Sequence, residues 1–216
     1  GNCHRRHHQD RAQCDLKNIP ALLIWTQINA PGRLPQSGHL APDGGSRNLT
    51  LSHIPESTLM STPSVLFVCL GNICRSPLAE GAMRDVAARA GVVIRIDSAG
   101  TGNWHAGDPP DSRAQAVAAR NGVDISTLRA RQVRPEDFQI FDHIVAMDRD
   151  NLAELRRLAP ADAPARLSLM LDHVPGQKGK SVADPYFGDA SGFGATWAEV
   201  LAGAEGLLDR ITRPRR

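Results

Sequence analysis

The sequence predicts an α/β fold: a single domain with a four-stranded parallel sheet and helices on both faces, preceded by a largely disordered N-terminal extension. From residue 65 onward, apolar runs of strand length alternate with stretches of helical spacing. The first run, residues 65–69, is apolar throughout, as expected for a parallel strand that is buried on both faces. Repeated strand–helix units favour parallel strands joined by right-handed crossovers.

The predicted elements follow one another in chain order. Strands are expected at residues 65–69, 92–96, 143–147 and 166–171. Helices are expected at residues 77–90, 112–121, 135–141, from a cap at Asp150 to about residue 158, and at 194–211. Ser76 and Pro77 form the start signal of the first helix, with serine as the cap and proline at the first helical position. Gly91 ends that helix.

The N-terminal residues differ in composition from the remainder of the chain. Residues 1–59 hold six Lys and Arg and four Asp and Glu, so the totals of 25 and 23 leave nineteen of each for residues 60–216. A domain without net charge gives no indication of nucleic-acid binding. The one apolar patch of the N-terminal part is too short to span a membrane. We therefore expect a disordered extension over 1–59 and a domain over 60–216.

A cysteine and an arginine flank the loop between the first strand and the first helix. Cys69 ends the strand, and Arg75 follows six residues later. Backbone N–H groups converge in such a loop, the helix directs its positive end toward them, and the arginine adds a two-pronged cation. This arrangement suits a tetrahedral dianion, and its field favours the thiolate of Cys69, a nucleophile toward phosphorus. The four cysteines are too few and too unevenly spaced for a disulfide scaffold, so a reactive thiol in a reducing cytoplasm fits better.

These residues resemble the low-molecular-weight protein tyrosine phosphatases. The resemblance rests on the apolar strand, on Cys69-x5-Arg75-Ser76-Pro77, and on a late Asp184-Pro185-Tyr186. It covers essentially all of residues 60–216. It implies a cytoplasmic phosphatase without metal or cofactor, acting on phosphotyrosine proteins or small aryl phosphates. We further expect a monomer or weak homodimer, with no nucleic-acid or membrane partner.

The resemblance also implies a division of roles. Cys69 is the expected nucleophile, forming a cysteinyl-phosphate, and Arg75 the clamp on two equatorial oxygens. The leaving group needs an acid, and Asp108-Pro109 and Asp184-Pro185 are both candidates that spacing alone does not separate. The resemblance assigns the role to Asp184, because the general acid of the family lies in an Asp-Pro-Tyr sequence.

Further loop and wall residues follow from the same resemblance. Asn72 is expected to hold the strained loop, Ser76 to hydrogen-bond the thiolate, and Cys74 to form a protective disulfide with Cys69. Gly71 is expected to supply a backbone angle that a Cβ would forbid, and Ser98 to join the supporting hydrogen bonds. An aromatic slot that favours phosphotyrosine over the shorter phosphoserine is expected from the pocket walls Leu70, Ile73, Trp104, Tyr186 and Phe187.

Three other functions compete with this interpretation. Arginine phosphatases of the same superfamily typically carry threonine where this loop has Ile73, so the larger apolar residue favours an aryl phosphate. Arsenate reductases of the same fold need further cysteines, and none follows Cys74. A redox-sensing anion-binding module would keep the loop but has no need of Asp184.

Overall fold

The structure is a computed structural model that describes residues 62–213. The predicted extension, residues 1–59, lies outside the described residues. The strands are β1 (Ser64–Cys69), β2 (Arg95–Gly100), β3 (His143–Ala146) and β4 (Arg166–Leu169). The helices are α1 (Arg75–Ala90), α2 (Ser112–Arg120), α3 (Asp137–Ile140), α4 (Arg149–Leu158), a 3-10 helix (Met170–His173) and α5 (Ala190–Thr212).

The strands form one parallel sheet in the order β2-β1-β3-β4. β1 is therefore central, and all six of its residues are buried. Its side chains alternate between two core clusters. Val65 and Phe67 pack with residues of α1 and α5, whereas Leu66 and Val68 pack with residues of α3 and α4. The prediction of a four-stranded parallel sheet with helices on both faces is confirmed.

The second strand was predicted wrongly. The expected segment was 92–96, but β2 runs from Arg95 to Gly100 and pairs with β1 as far as Cys69. The polar residues Asp97 and Ser98 conceal this strand in the sequence. Ser98 is nevertheless buried, because its hydroxyl bonds to other buried polar side chains near the end of the sheet. Tertiary hydrogen bonding therefore overrides the local pattern.

The start of α1 also differs from the prediction. The helix begins at Arg75, Cys74 precedes it without a side-chain cap, and Pro77 is its third residue. The Ser76 hydroxyl does not cap the helix, because it points into the preceding loop toward Cys69. The predicted end is confirmed, since Gly91 adopts the left-handed conformation with φ 66°.

Two aspartate caps explain why α4 and α5 begin at residues other than those predicted. α4 is capped by Asp148, which accepts a hydrogen bond from the backbone N–H of Asn151 at 2.7 Å, and not by Asp150. α5 begins at Ala190 rather than at residue 194, because the Asp189 carboxylate caps the helix by accepting a hydrogen bond from the Ser191 N–H. β4 is shorter than predicted, since the chain turns into the 3-10 helix after Leu169. In residues 62–213 no helix is long and apolar enough to cross a membrane.

Candidate active site

The loop after β1 lies at the carboxyl end of the sheet and at the N-terminus of α1. Cys69 is buried, and its sulfur accepts a hydrogen bond from the backbone N–H of Asn72 at 3.2 Å. The Ser76 Oγ lies 3.1 Å from the same sulfur. When the sulfur is ionised, only the hydroxyl can donate in that contact, so an ionised sulfur accepts two hydrogen bonds here.

Asn72 holds the loop in shape. It has a φ of 56° and is the one non-glycine residue among residues 62–213 with a positive φ. Its Nδ2 donates to the hydroxyls of Ser76 and Ser98, each at 2.9 Å, and its Oδ1 accepts from the Arg131 N–H at 2.9 Å. Asparagine tolerates the left-handed region better than most residues, and three hydrogen bonds fix it there.

Gly71 has a different role from the predicted one. Its φ is not in the left-handed region, which the chain reaches one residue later, at Asn72. A Cβ at position 71 would lie 3.1 Å from the His105 Cδ2. The glycine therefore allows a close approach of His105 rather than an unusual backbone angle.

Glu80 extends this network and was missed from the sequence. It is buried in α1, and its Oε2 accepts a hydrogen bond from the Ser98 hydroxyl at 2.6 Å. Burial raises the pKa of Glu80. The hydrogen bond from Ser98 and the charge of Arg84, whose Nη2 lies 2.5 Å from Glu80 Oε1, lower that pKa, but burial outweighs them. The sequence signal for Glu80 was a charged residue among the mostly apolar residues that α1 buries. The network runs from Glu80 through Ser98, Asn72 and Ser76 to Cys69.

Arg75 is buried and bound by two carboxylates. Its Nη1 lies 2.6 Å from Asp148 Oδ2, its Nη2 lies 2.7 Å from Asp184 Oδ2, and Nη1 also donates to the Val182 carbonyl at 3.3 Å. Burial lowers the pKa of Arg75, but the negative charges of Cys69, Asp184 and Asp148 outweigh it and raise the pKa. Asp148 was missed, although its position just after β3, at the carboxyl end of a parallel strand, is a signal for it.

The two Asp-Pro candidates occupy different places. Asp184 reaches Arg75, and its Oδ1 also accepts a hydrogen bond from the Tyr186 N–H at 3.1 Å. Asp108 instead lies 3.1 Å from the His105 Nδ1. Their side chains are 37% and 59% exposed, respectively. Of the two aspartates, therefore, Asp184 forms an ion pair with Arg75, whereas Asp108 pairs with His105.

A cavity of about 130 Å³ lies against the loop between β1 and α1. All the predicted wall residues line it, together with Cys69, Cys74, Arg75 and Asp184, and with His105, which was not predicted. Trp104 and Phe187 are 71% and 95% exposed, so large apolar side chains form an open rim. A larger cavity of about 240 Å³, between α1 and residues 122–128, contains none of these side chains.

Comparison with known proteins identifies the family. A family profile described as low molecular weight phosphotyrosine protein phosphatase matches residues 64–216. The chain belongs to this phosphatase family. Among its members, YfkJ of Bacillus subtilis is 41% identical over 155 residues, covering 71% of this chain and 98% of YfkJ. The phosphatase of Schizosaccharomyces pombe is 41% identical over 150 residues, covering 68% of this chain and 96% of that protein.

Solved structures agree with the assignment to this phosphatase family. The crystal structure of YfkJ matches with a TM-score of 0.67 and covers 72% of this chain and 98% of YfkJ. A crystal structure of DARP, a Drosophila arginine phosphatase, matches with a TM-score of 0.66 at 30% identity, covering 70% of this chain and 99% of that one. The fold is therefore shared by a protein named as a tyrosine phosphatase and by one named as an arginine phosphatase.

The left-handed backbone at Asn72 predicts an unusual order of stability between two substitutions. Asn72→Ala and Asn72→Gly both lose the side-chain hydrogen bonds, but only alanine meets the steric cost of the left-handed region, about 1 kcal/mol. Urea unfolding should therefore show Asn72→Gly to be the more stable variant by about that amount. Asn121, with a φ of −99°, is the matched control, and there alanine should be at least as stable as glycine. The same order at both positions would contradict the backbone geometry at Asn72.

Proposed function

We propose that this protein hydrolyses phosphotyrosine, or small aryl phosphate monoesters, through a cysteinyl-phosphate intermediate. One observation carries the proposal. Cys69 lines a cavity together with the buried Arg75 and with Asp184, and its sulfur accepts a hydrogen bond from a loop N–H. A nucleophile, a planar cation and an acid therefore face one volume that can hold a phosphoryl group.

In the first step the Cys69 thiolate attacks phosphorus in line with the aryl oxygen. The S–P bond forms as the P–O bond breaks, and the departing oxygen takes a proton from Asp184. Loop N–H groups and the Arg75 guanidinium bind the equatorial oxygens as their charge rearranges. As the general acid, Asp184 enters this step with its carboxyl protonated.

In the second step water attacks the cysteinyl-phosphate. Asp184, now ionised, takes a proton from that water, the P–O bond forms and the S–P bond breaks. Inorganic phosphate leaves and the thiolate is restored. The two hydrogen bonds to the sulfur stabilise it as a leaving group, so the interactions that activate the nucleophile also assist the second step.

Replacing the sulfur separates catalysis from binding. Cys69→Ser should abolish turnover of p-nitrophenyl phosphate, because serine is not ionised at neutral pH, while the loop N–H groups and Arg75 still bind the oxyanion. Turnover is measured by release of p-nitrophenol, and binding by calorimetry with a phosphotyrosine peptide. Substantial turnover by Cys69→Ser would contradict the assignment of the nucleophile.

The acid assignment predicts a dependence on the leaving group. Asp184→Ala should lower kcat/KM for phenyl phosphate about a hundredfold, and much less for p-nitrophenyl phosphate, whose leaving group is stable as an anion. Asp108→Ala is the matched control and should affect the two substrates equally. Equal losses on both substrates with Asp184→Ala would remove Asp184 from the role of acid.

Phosphoarginine is the second candidate substrate, because a protein named as an arginine phosphatase shares the fold at 30% identity. The apolar Ile73 and the aromatic side chains that line the cavity support phosphotyrosine instead, since apolar and aromatic walls favour an aryl ring. Kinetic comparison of matched phosphotyrosine and phosphoarginine peptides distinguishes the two substrates. Preferential hydrolysis of phosphoarginine would overturn the proposal of tyrosine specificity but leave the cysteinyl-phosphate chemistry intact.

Redox sensitivity is a further part of the proposal. An oxidised Cys69 sulfenic acid would be attacked by the Cys74 thiolate, forming the S–S bond and releasing hydroxide. Burial, together with the charges of Asp111 and Cys69, raises the pKa of Cys74 to about 12. Cys74 is therefore protonated at neutral pH, which slows this step.

The raised pKa makes disulfide formation dependent on pH. The thiolate fraction of Cys74 grows about tenfold per pH unit below its pKa, so the disulfide should form faster at pH 9 than at pH 7. Peroxide treatment followed by mass spectrometry measures the Cys69–Cys74 product, with Cys74→Ala as the control that cannot form it. A rate of disulfide formation that is independent of pH would contradict this account.

The setting of the activity is also proposed. We place the enzyme in the cytoplasm, as a monomer or weak homodimer, without a nucleic-acid or membrane partner. Two features support this proposal: Cys69 and Cys74 are both free thiols, which a reducing compartment maintains, and the charges of residues 60–216 balance.

A further inference from the structure

Arg113 lies in the first turn of α2, with its guanidinium fixed by Asp111. Asp111 caps the helix by accepting the Arg113 backbone N–H at 2.8 Å. The same carboxylate accepts the Arg113 Nε at 3.0 Å and Nη2 at 2.9 Å. Two parallel hydrogen bonds hold the planar group in one orientation, and they contribute to the lowered pKa of Asp111.

The remaining donors of Arg113 reach the segment that carries Asp184. Nη1 donates to the Gly188 carbonyl at 3.1 Å, and Nη2 donates to the Tyr186 carbonyl at 3.2 Å. The Tyr186 N–H donates in turn to Asp184 Oδ1. A single arginine therefore holds the turn that orients the carboxyl of Asp184.

The other side of this contact reaches the phosphate-binding loop. The Asp111 N–H donates to the Ile73 carbonyl at 2.8 Å. The guanidinium of Arg113 also lies 4.7 Å from the centroid of the Phe193 ring, in the first turn of α5. Asp111 and Arg113 thus join the loop that holds the nucleophile to the loop that holds the acid, two segments more than 100 residues apart in sequence.

We propose that Arg113 is a positioning residue for proton transfer, setting the place of the Asp184 carboxyl relative to the Cys69 loop. The inference rests on the proposed role of Asp184 as acid and extends it to a residue outside the reacting groups. The Asp111–Arg113 ion pair is only partly buried, and such a pair contributes little to stability by itself. Proton transfer, in contrast, requires the donor within hydrogen-bond reach of the leaving oxygen, so a small displacement of Asp184 is costly to the rate.

Substituted phenyl phosphates test the inference, because their rings are similar and their leaving groups differ. Arg113→Ala should lower kcat/KM for phenyl phosphate about tenfold and for p-nitrophenyl phosphate by less than about threefold. Arg113→Lys keeps the charge but lacks the two-pronged guanidinium. Its loss of kcat/KM should likewise be larger for phenyl phosphate than for p-nitrophenyl phosphate. Arg120→Ala, an exposed arginine in the last turn of the same helix, should match the parent. Equal losses on all substrates, in correctly folded Arg113→Ala or Arg113→Lys, would overturn the inference.

A double substitution separates this inference from the proposed function. If Arg113 acts through Asp184, then Arg113→Ala should change kcat/KM for phenyl phosphate little in an Asp184→Ala background. A full tenfold loss in that background overturns the positioning role. If Asp184→Ala alone shows no dependence on the leaving group, the acid assignment itself fails. If Asp184→Ala shows that dependence and Arg113→Ala does not, only the present inference fails.

Discussion

The site depends on one backbone conformation, the left-handed turn at Asn72. That turn directs the residue's own N–H at the Cys69 sulfur, while its side chain bonds to two serine hydroxyls and accepts a backbone N–H. The loop can then rejoin a helix at Arg75 within a few residues. Because the backbone N–H and both side-chain polar atoms of Asn72 have partners, the strain is held by interactions that also define the anion site.

The carboxylates at Arg75 carry more negative charge than its guanidinium neutralises. One guanidinium faces Asp148 and Asp184, and an ionised Cys69 adds a third negative charge. A phosphate dianion adds further negative charge there, so its binding to Arg75 favours displacement of a carboxylate or uptake of a proton. Asp184 is the half-exposed partner and Asp148 also caps α4, so Asp184 is the carboxylate free to move and to carry that proton.

Local sequence patterns predicted the backbone elements of the site more completely than the charged side chains that contact it. Strand β1, the loop and the helix end at Gly91 could each be predicted from an apolar run or a cap signal only a few residues long. Asp148 and Glu80 were missed because their significance depends on partners 73 and 18 residues away, at Arg75 and Ser98. β2 was misplaced for the same reason, since Ser98 is buried by distant hydrogen bonds rather than by hydrophobicity.

The loop carries two thiols but only one suits the role of nucleophile, and geometry explains the difference. Cys69 faces the centre of the loop, where an N–H and a hydroxyl contact its sulfur. Cys74 is also buried, but next to the negative Asp111, and burial raises its pKa to about 12. Two chemically identical side chains five residues apart therefore differ because one faces converging donors and the other does not. Reactivity in this loop is a property of position, set by Asn72 and the start of α1.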